Sequence, residues 1–225
     1  MSAVPHTNEP RWRRLPEERP RQILAAALEV FGERGLAAAR LEDIAKHAGV
    51  SKGTIYLYFS NKEELFRAMI GDIVVGQLEV AERAVSESTT SATETLTDFM
   101  RSYWARIRGP QFGPLFRLIH AEIHSFPDLA SFYGQEVVAR SQRLIAAIIQ
   151  SGIDRGEFRA IDPFVAARML SAPFVMHGLW CSHRECFSDV AKKTDEQVLQ
   201  EMIDFYLYAI RPRAAVEPEA ARNAS

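Results

Sequence analysis

Cysteine is scarce in this chain: there are two in 225 residues, Cys181 and Cys186, five positions apart. So few thiols exclude a disulfide framework, and a reducing compartment leaves no structural disulfide to expect. Nor do they make a familiar metal site. His177, Cys181, His183 and Cys186 fall within ten residues, and His177 and Cys181 share a helical face. No Cys-x-x-Cys pair or known ligand spacing accompanies them, so no metal is expected, and packing or helix-end exposure accounts for the group. A redox pair has little support, because only the histidines stand near enough to lower a thiol pKa.

Long hydrophobic runs are also missing. None reaches the roughly 20 residues that span a bilayer, and the opening residues, rich in Arg and Pro, hold no signal-peptide core, so a cytoplasmic protein with no membrane partner is expected. Charge of one sign is lacking as well. A net charge of −2 and a pI near 6.3 exclude general coating of nucleic acid, and any DNA affinity must come from a local basic patch. There is no nucleophile in a motif, no pair of catalytic carboxylates and no phosphate loop, so neither an enzyme nor a cofactor is expected. Strand alternation and internal repeats are not evident. What remains is a chain with 47% hydrophobic residues, long enough for one small module and a larger domain, both helical.

The most informative stretch runs from Leu41 to Lys62. Leu41, Ile44, Ala45 and Ala48 recur at i, i+3, i+4 and i+7, which buries one stripe and turns Glu42, Lys46 and His47 outward. Gly49 permits a tight turn, and Ser51 stands where its oxygen can cap a second helix starting near Lys52. In that helix Ile55 and Phe59 are one turn apart and plug a core, while Lys52, Thr54, Tyr56 and Tyr58 crowd the outer faces. Rings with hydroxyl tips suit a sugar-phosphate backbone or a thymine methyl in the major groove, so the layout is that of a DNA-reading helix-turn-helix. Asn61 followed by Glu64 starts another helix. Lys62 in its first turn is poorly placed against the positive helix end, which either a phosphate or plain solvation would explain.

The run from Arg21 to Leu65, above all Gly49-Val50-Ser51-Lys52-Gly53-Thr54-Ile55-Tyr56 with Tyr58-Phe59 and Lys62-Glu63-Glu64-Leu65, closely resembles the N-terminal domain of TetR-family transcriptional regulators. Ile23, Ala26, Ala27, Val30 and Phe31 supply the buried stripe of the preceding helix, and Gly35 ends it. The resemblance implies that Lys52, Gly53, Thr54, Tyr56, Leu57 and Tyr58 touch bases or phosphates and that Lys62 binds a phosphate. Arg40 departs from the family, which usually has Ser or Thr there to cap the helix and bind a phosphate. Its guanidinium can serve the phosphate but cannot cap.

Four regions follow. Residues 1–19 form a basic arm without periodicity, carrying Arg11, Arg13, Arg14 and Arg19, which either lies along DNA or is a solvated tail. Residues 20–66 form the DNA-binding domain, 67–212 an effector-binding and dimerisation domain, and 213–225 a flexible tail. A connecting helix is predicted from Glu64 to about Val85. After a polar break ending in the capping pattern Ser91-x-x-Glu94, further helices run over Leu96–Ile107, Phe112–Ser125, Leu129–Ser151, Asp162–His183 and Thr194–Ile210. The fold class is therefore all-α, a three-helix DNA-binding domain before a larger helical one.

Phe99, Tyr103, Trp104, Phe116, His120 and Ile123 gather aromatic and polar groups in a stretch interrupted by Gly109, Pro110, Gly113 and Pro114. Such irregularity leaves either a filled aromatic core or an apolar cavity, and the resemblance to ligand-responsive regulators puts a small hydrophobic effector there. Phe174, His177 and Trp180 join the same candidate site, beside Pro173, whose missing N–H favours a kink. His120 and His124 lack a third metal ligand. Phe164, Val165, Met169, Leu170 and Leu179 on one of the last two helices, and Val198, Met202, Phe205, Tyr206 and Ala209 on the other, make broad apolar faces; by resemblance they form a homodimer that presents two reading helices to an operator in double-stranded DNA. The reading is an effector-released repressor. An activator, a ligand-independent DNA-binding regulator or a helical metal or redox protein built on the His/Cys cluster are the alternatives.

Overall fold

The computed structural model describes residues 18–181 and 193–212. The basic arm up to residue 17, the tail from 213, His183 and Cys186 lie outside the described residues, as do the side chains of Leu179 and Cys181. All regular structure among the described residues is helical. Packing divides the chain into two compact units, one reaching Met69 and the other starting at Ile70.

The first unit holds α1 (Glu18–Ala38), α2 (Leu41–His47), α3 (Lys52–Tyr58) and most of α4 (Lys62–Ile70). Gly35 and Gly49 stand at φ 76° and 66°, positive values that a Cβ would strain; Gly35 kinks α1 before its last turn, and Gly49 turns the chain after α2. The apolar spacing then does the packing. Ile23, Ala27 and Phe31 from α1, Ile44 from α2, Ile55 from α3 and Leu65 and Phe66 from α4 have no exposed surface. Phe31 meets Phe66 edge-on at 5.9 Å, and each such ring contributes about 1.5–3 kcal/mol by leaving water.

The second unit continues the helical backbone through a π-helical segment (Gly71–Val75) into α5 (Gly76–Ser86). After the polar break come α6 (Ala92–Ile107), α7 (Phe112–Glu122) with a 3-10 turn (Ile123–Ser125), α8 (Pro127–Tyr133), a second π segment (Gly134–Ala139), α9 (Arg140–Asp154), α10 (Pro163–Cys181) and α11 (Asp195–Ile210). The single helix predicted over Leu129–Ser151 is thus two α-helices joined by a wider turn. A π turn adds a residue without disturbing the apolar pattern much, so spacing does not reveal it. The predicted Leu96–Ile107 helix starts four residues earlier, because Ser91 and Glu94 form a reciprocal capping box. Pro114 lies in the first turn of α7, where its missing N–H breaks no bond. Pro173 lies inside α10, and the helix continues past it to Cys181.

Helix α9 packs on both α10 and α6, with Leu144, Ile145, Ile148 and Ile149 buried. Close approach follows from Gly152: a Cβ there would run into the ring of buried Phe158. The neighbouring Glu157 carboxylate accepts the backbone N–H groups of Ala92 and Thr93, both at 2.9 Å, and so covers the start of α6. Arg140 grips Glu82 with two 2.6 Å bonds, tying α9 to α5. Asp162 accepts from the N–H groups of Phe164 and Val165 and begins α10, as its place before Pro163 predicts.

Candidate nucleic-acid interface and effector region

Helix α3 is two turns long, and its inner side is taken by Ile55, with Phe59 beyond its end. Its start is fixed by Ser51, whose hydroxyl accepts the Thr54 N–H at 3.0 Å and bonds the Thr54 hydroxyl at 2.8 Å. The rest of the helix faces out: Tyr56 is 45% exposed, Leu57 83% and Tyr58 38%. Lys52 and Gly53 are exposed and Thr54 is half-buried. The first unit's core makes no use of Lys52, Gly53, Tyr56 or Leu57. Gly53 has ordinary backbone angles, and a Cβ on it would meet only the Ser51 hydroxyl at 3.8 Å. Nothing inside the chain requires glycine at that position.

Glu42 organises this surface. Its carboxylate pairs with Lys52 at 2.6 Å and accepts from the Tyr56 hydroxyl at 3.4 Å, while the Lys52 ammonium stands 5.8 Å from the Tyr56 ring. The Lys52 bond holds the carboxyl below its usual range. Both side chains are therefore drawn toward α2, and a phosphate that takes Lys52 competes with Glu42 for it. Arg40 precedes α2 in extended backbone, exposed and without a side-chain capping bond. Its outward guanidinium agrees with the expectation that it cannot cap. Lys62 donates to the Ala37 carbonyl at 2.6 Å, so it closes the end of α1 and keeps two N–H groups for another acceptor. Gln22 does the same for the Ala48 carbonyl at 2.9 Å. Neither the Glu42 hub nor these two long-range caps was found from sequence. Glu42, at an outward position of α2, was visible as a candidate, whereas partners 25 and 26 residues away were not.

In the second unit five of the nine candidate effector residues form one ring cluster. Phe99 stacks on Tyr103 at 6.0 Å, Tyr103 and Trp104 meet Phe174 at 5.4 and 5.7 Å, and Trp104 stacks on His177 at 4.3 Å. Burial raises the pKa of the Tyr103 hydroxyl and pushes that of its neighbour Tyr133 up to about 12. The Trp104 indole N–H is buried without an acceptor. Phe116 and His120 belong to another row on α7, with Phe112; His120 is exposed, Ile123 half-buried and Trp180 43% exposed. Two cavities border the ring cluster, one reached by Phe99 and the other by Phe174. One of about 390 Å³ lies between α5 and α6, and one of about 720 Å³ runs along α10 and α11, past Val165, Met169 and Phe205. Among the described residues no cluster of His, Cys, Asp or Glu is arranged to hold a metal, and no helix is long and apolar enough to cross a membrane.

A family model described as bacterial regulatory proteins of the tetR family matches residues 23–69, and one described as a tetracyclin repressor-like C-terminal domain matches residues 87–198. An uncharacterized HTH-type transcriptional regulator of Bacillus subtilis, YfiR, is 32% identical over 152 residues, which are 65% of this chain and 71% of the relative. The chain belongs to the TetR family. Members of this family are DNA-binding transcriptional regulators and not enzymes, and the chain is such a regulator, as the helix-turn-helix stretch had indicated. The Fatty acid metabolism regulator protein of B. subtilis is 28% identical over 159 residues, covering 69% of this chain and 80% of its own. The solved structure of FadR from B. subtilis in complex with stearoyl-CoA superposes with a TM-score of 0.68 at 25% identity, over 85% of this chain and 99% of that one. TetR membership also supports the all-α reading with a helix-turn-helix unit before a larger helical one.

Proposed function

We propose that this TetR-family regulator is a homodimeric repressor that holds a roughly palindromic operator and leaves it when a small hydrophobic effector binds the second unit. The observation that carries the DNA reading is the outer face of α3. Lys52, Gly53, Thr54, Tyr56, Leu57 and Tyr58 present a cation, a bare backbone, hydroxyls and an apolar tip on a helix whose inner side is fully used. Those groups match phosphates, a closely approached backbone and a thymine methyl, with Arg40 and Lys62 flanking as phosphate contacts. The half-exposed hydrocarbon of Val165, Met169 and Phe205 supports pairing through α10 and α11. A two-fold dimer sets its reading helices roughly 34–36 Å apart, one turn of DNA.

The effector reading rests on the aromatic cluster around Trp104. Its unpaired indole N–H asks for an acceptor, and Phe99, Tyr103, Phe174 and His177 supply the apolar and polar walls; Phe116, His120, Ile123 and Trp180 are further candidates. An effector that favours the released conformation by about 1–3 kcal/mol changes operator occupancy about 5- to 150-fold. The likeness to a regulator solved with stearoyl-CoA agrees with an apolar ligand.

Fluorescence anisotropy on duplexes tiled across the region upstream of its gene, over a salt series, tests the DNA reading. The protein binds one duplex selectively with two chains per site, and the Lys52→Ala, Tyr56→Ala double variant loses that selectivity. Equal, strongly salt-dependent binding to all duplexes, unchanged in the variant, refutes the assignment of α3.

A further inference from the structure

Arg106 differs from two other cations of the unit, which hold carboxylates. Two residues on, the Arg108 guanidinium pairs with Asp195, and across the unit Arg140 has Glu82. Arg106 is half-buried, and among the described residues no carboxylate pairs with it; its contact is the Tyr103 ring at 5.9 Å. Burial lowers its pKa, yet a guanidinium keeps its charge at any ordinary pH. An unpaired charge withdrawn from water is costly, and such groups are retained where something else meets them.

Arg106 lines the cavity of about 390 Å³ between α5 and α6. Along α6 the cavity follows Thr95, Phe99, Ser102 and Arg106, one helical stripe whose ends are roughly 16 Å apart at the helical rise. Val80, Ala84 and Val85 of α5 form the facing wall, and this wall is aliphatic. At the end far from Arg106, the hydroxyls of Ser88, Thr90 and Thr95 bond one another at 2.8–3.2 Å and so ask for no further partner. The cavity is thus a groove with a cation at one end, an aliphatic α5 wall facing Phe99, Asp98 and Ser102 along its length, and a satisfied polar rim at the other. We propose that it binds an amphipathic organic anion, the carboxylate on Arg106 and the tail laid between Phe99 and Val85. Guanidinium and carboxylate match in shape, and water-poor surroundings strengthen the pair. Glu87 and exposed Asp98 also line the groove; Asp98 is two turns from Arg106 along the helix, about 12 Å away along the axis, and leaves the head-group position free.

This groove borders the aromatic cluster around Trp104 and shares Phe99 with it, but its test needs no DNA, so it stands or falls separately from the operator reading. Octanoate is titrated calorimetrically into the full chain, beside octanol and octyltrimethylammonium. Octanoate binds, and both other probes bind at least about tenfold more weakly. Arg106→Gln lowers octanoate affinity by a similar factor, and its unfolding midpoint without ligand does not fall, because a half-buried charge with no carboxylate partner among the described residues has been removed. Ala84→Phe, which fills the groove and leaves Arg106 in place, blocks octanoate independently. Equal binding of octanol, preference for the ammonium probe, or unchanged octanoate affinity in both variants overturns the proposal.

Discussion

The face that α3 leaves exposed and the face that α10 and α11 leave exposed are both rich in large side chains, but they differ in kind. On α3, Lys52, Tyr56 and Tyr58 end in polar atoms, and only Leu57 is bare hydrocarbon. On the last two helices Phe164, Val165, Met169 and Phe205 are each more than half exposed and end in carbon. Tyrosine and lysine tips can stay hydrated until a partner arrives and then bond to it, whereas bare carbon gains only by being covered. The first face suits a wet, charged surface such as DNA, and the second suits a dry one such as its own copy. Each face lies in a different unit with a separate core, and that separation can be tested.

The largest effect is expected from Phe66→Ala. Phe66 is fully buried against Phe31, and removing the ring costs about 3–5 kcal/mol. Denaturant unfolding followed by circular dichroism then shows an early transition of the first unit, with most helical signal retained until the second unfolds. A single transition that moves as a whole means the two units unfold together, and the contrast between independent faces fails. Next in size is Gly152→Ala in the second unit. Its new methyl collides with the Phe158 ring, which is held in the core, so about 1–3 kcal/mol is lost and the late transition moves while the early one stays. An unshifted late transition would mean that α9 and its following turn relax freely around the ring.

Such contrasts also explain what the sequence made legible. In the first unit almost every decisive relation is short-range: Ser51 to Thr54, Asn61 to Glu64, Ile44 one turn from Ala48, and glycines where the chain must turn. Spacing reads these directly. The Glu42 hub needed α2 and α3 to be placed side by side, and the Lys62 cap on Ala37 needed the end of α1 as well. In the second unit the start of α11 followed from Thr194, whereas α6 starts four residues before its predicted start, although its capping pattern at Ser91 was visible. The two π segments were not legible, since an added residue per turn leaves the apolar pattern intact. Pairings such as Tyr103 with Phe174, or Gly152 with Phe158, depend on how helices cross, and a linear pattern carries no crossing angle.

The smallest effect should come from Glu82→Gln, at the grip of α5 on α9. Two hydrogen bonds from Arg140 hold the Glu82 carboxyl below its ordinary value of 4.5. A carboxyl with a lowered folded pKa stabilises the fold above its unfolded value, and that contribution fades as pH falls through the folded value. The pair is partly exposed, with Glu82 at 31% and Arg140 at 23%, so about 0.5–1 kcal/mol is at stake near neutrality. Loss of Glu82 also leaves Arg140 with company, because Glu79 and Glu136 stand within 3.8 and 3.9 Å of it. The variant should therefore be slightly less stable than the parent at pH 7, and the two should begin to converge near pH 4.5 and meet only as pH falls through the lower folded value, where the parent's carboxyl takes up its proton. A constant difference across that range would mean that the substitution disturbs packing between α5 and α9 rather than the ion pair.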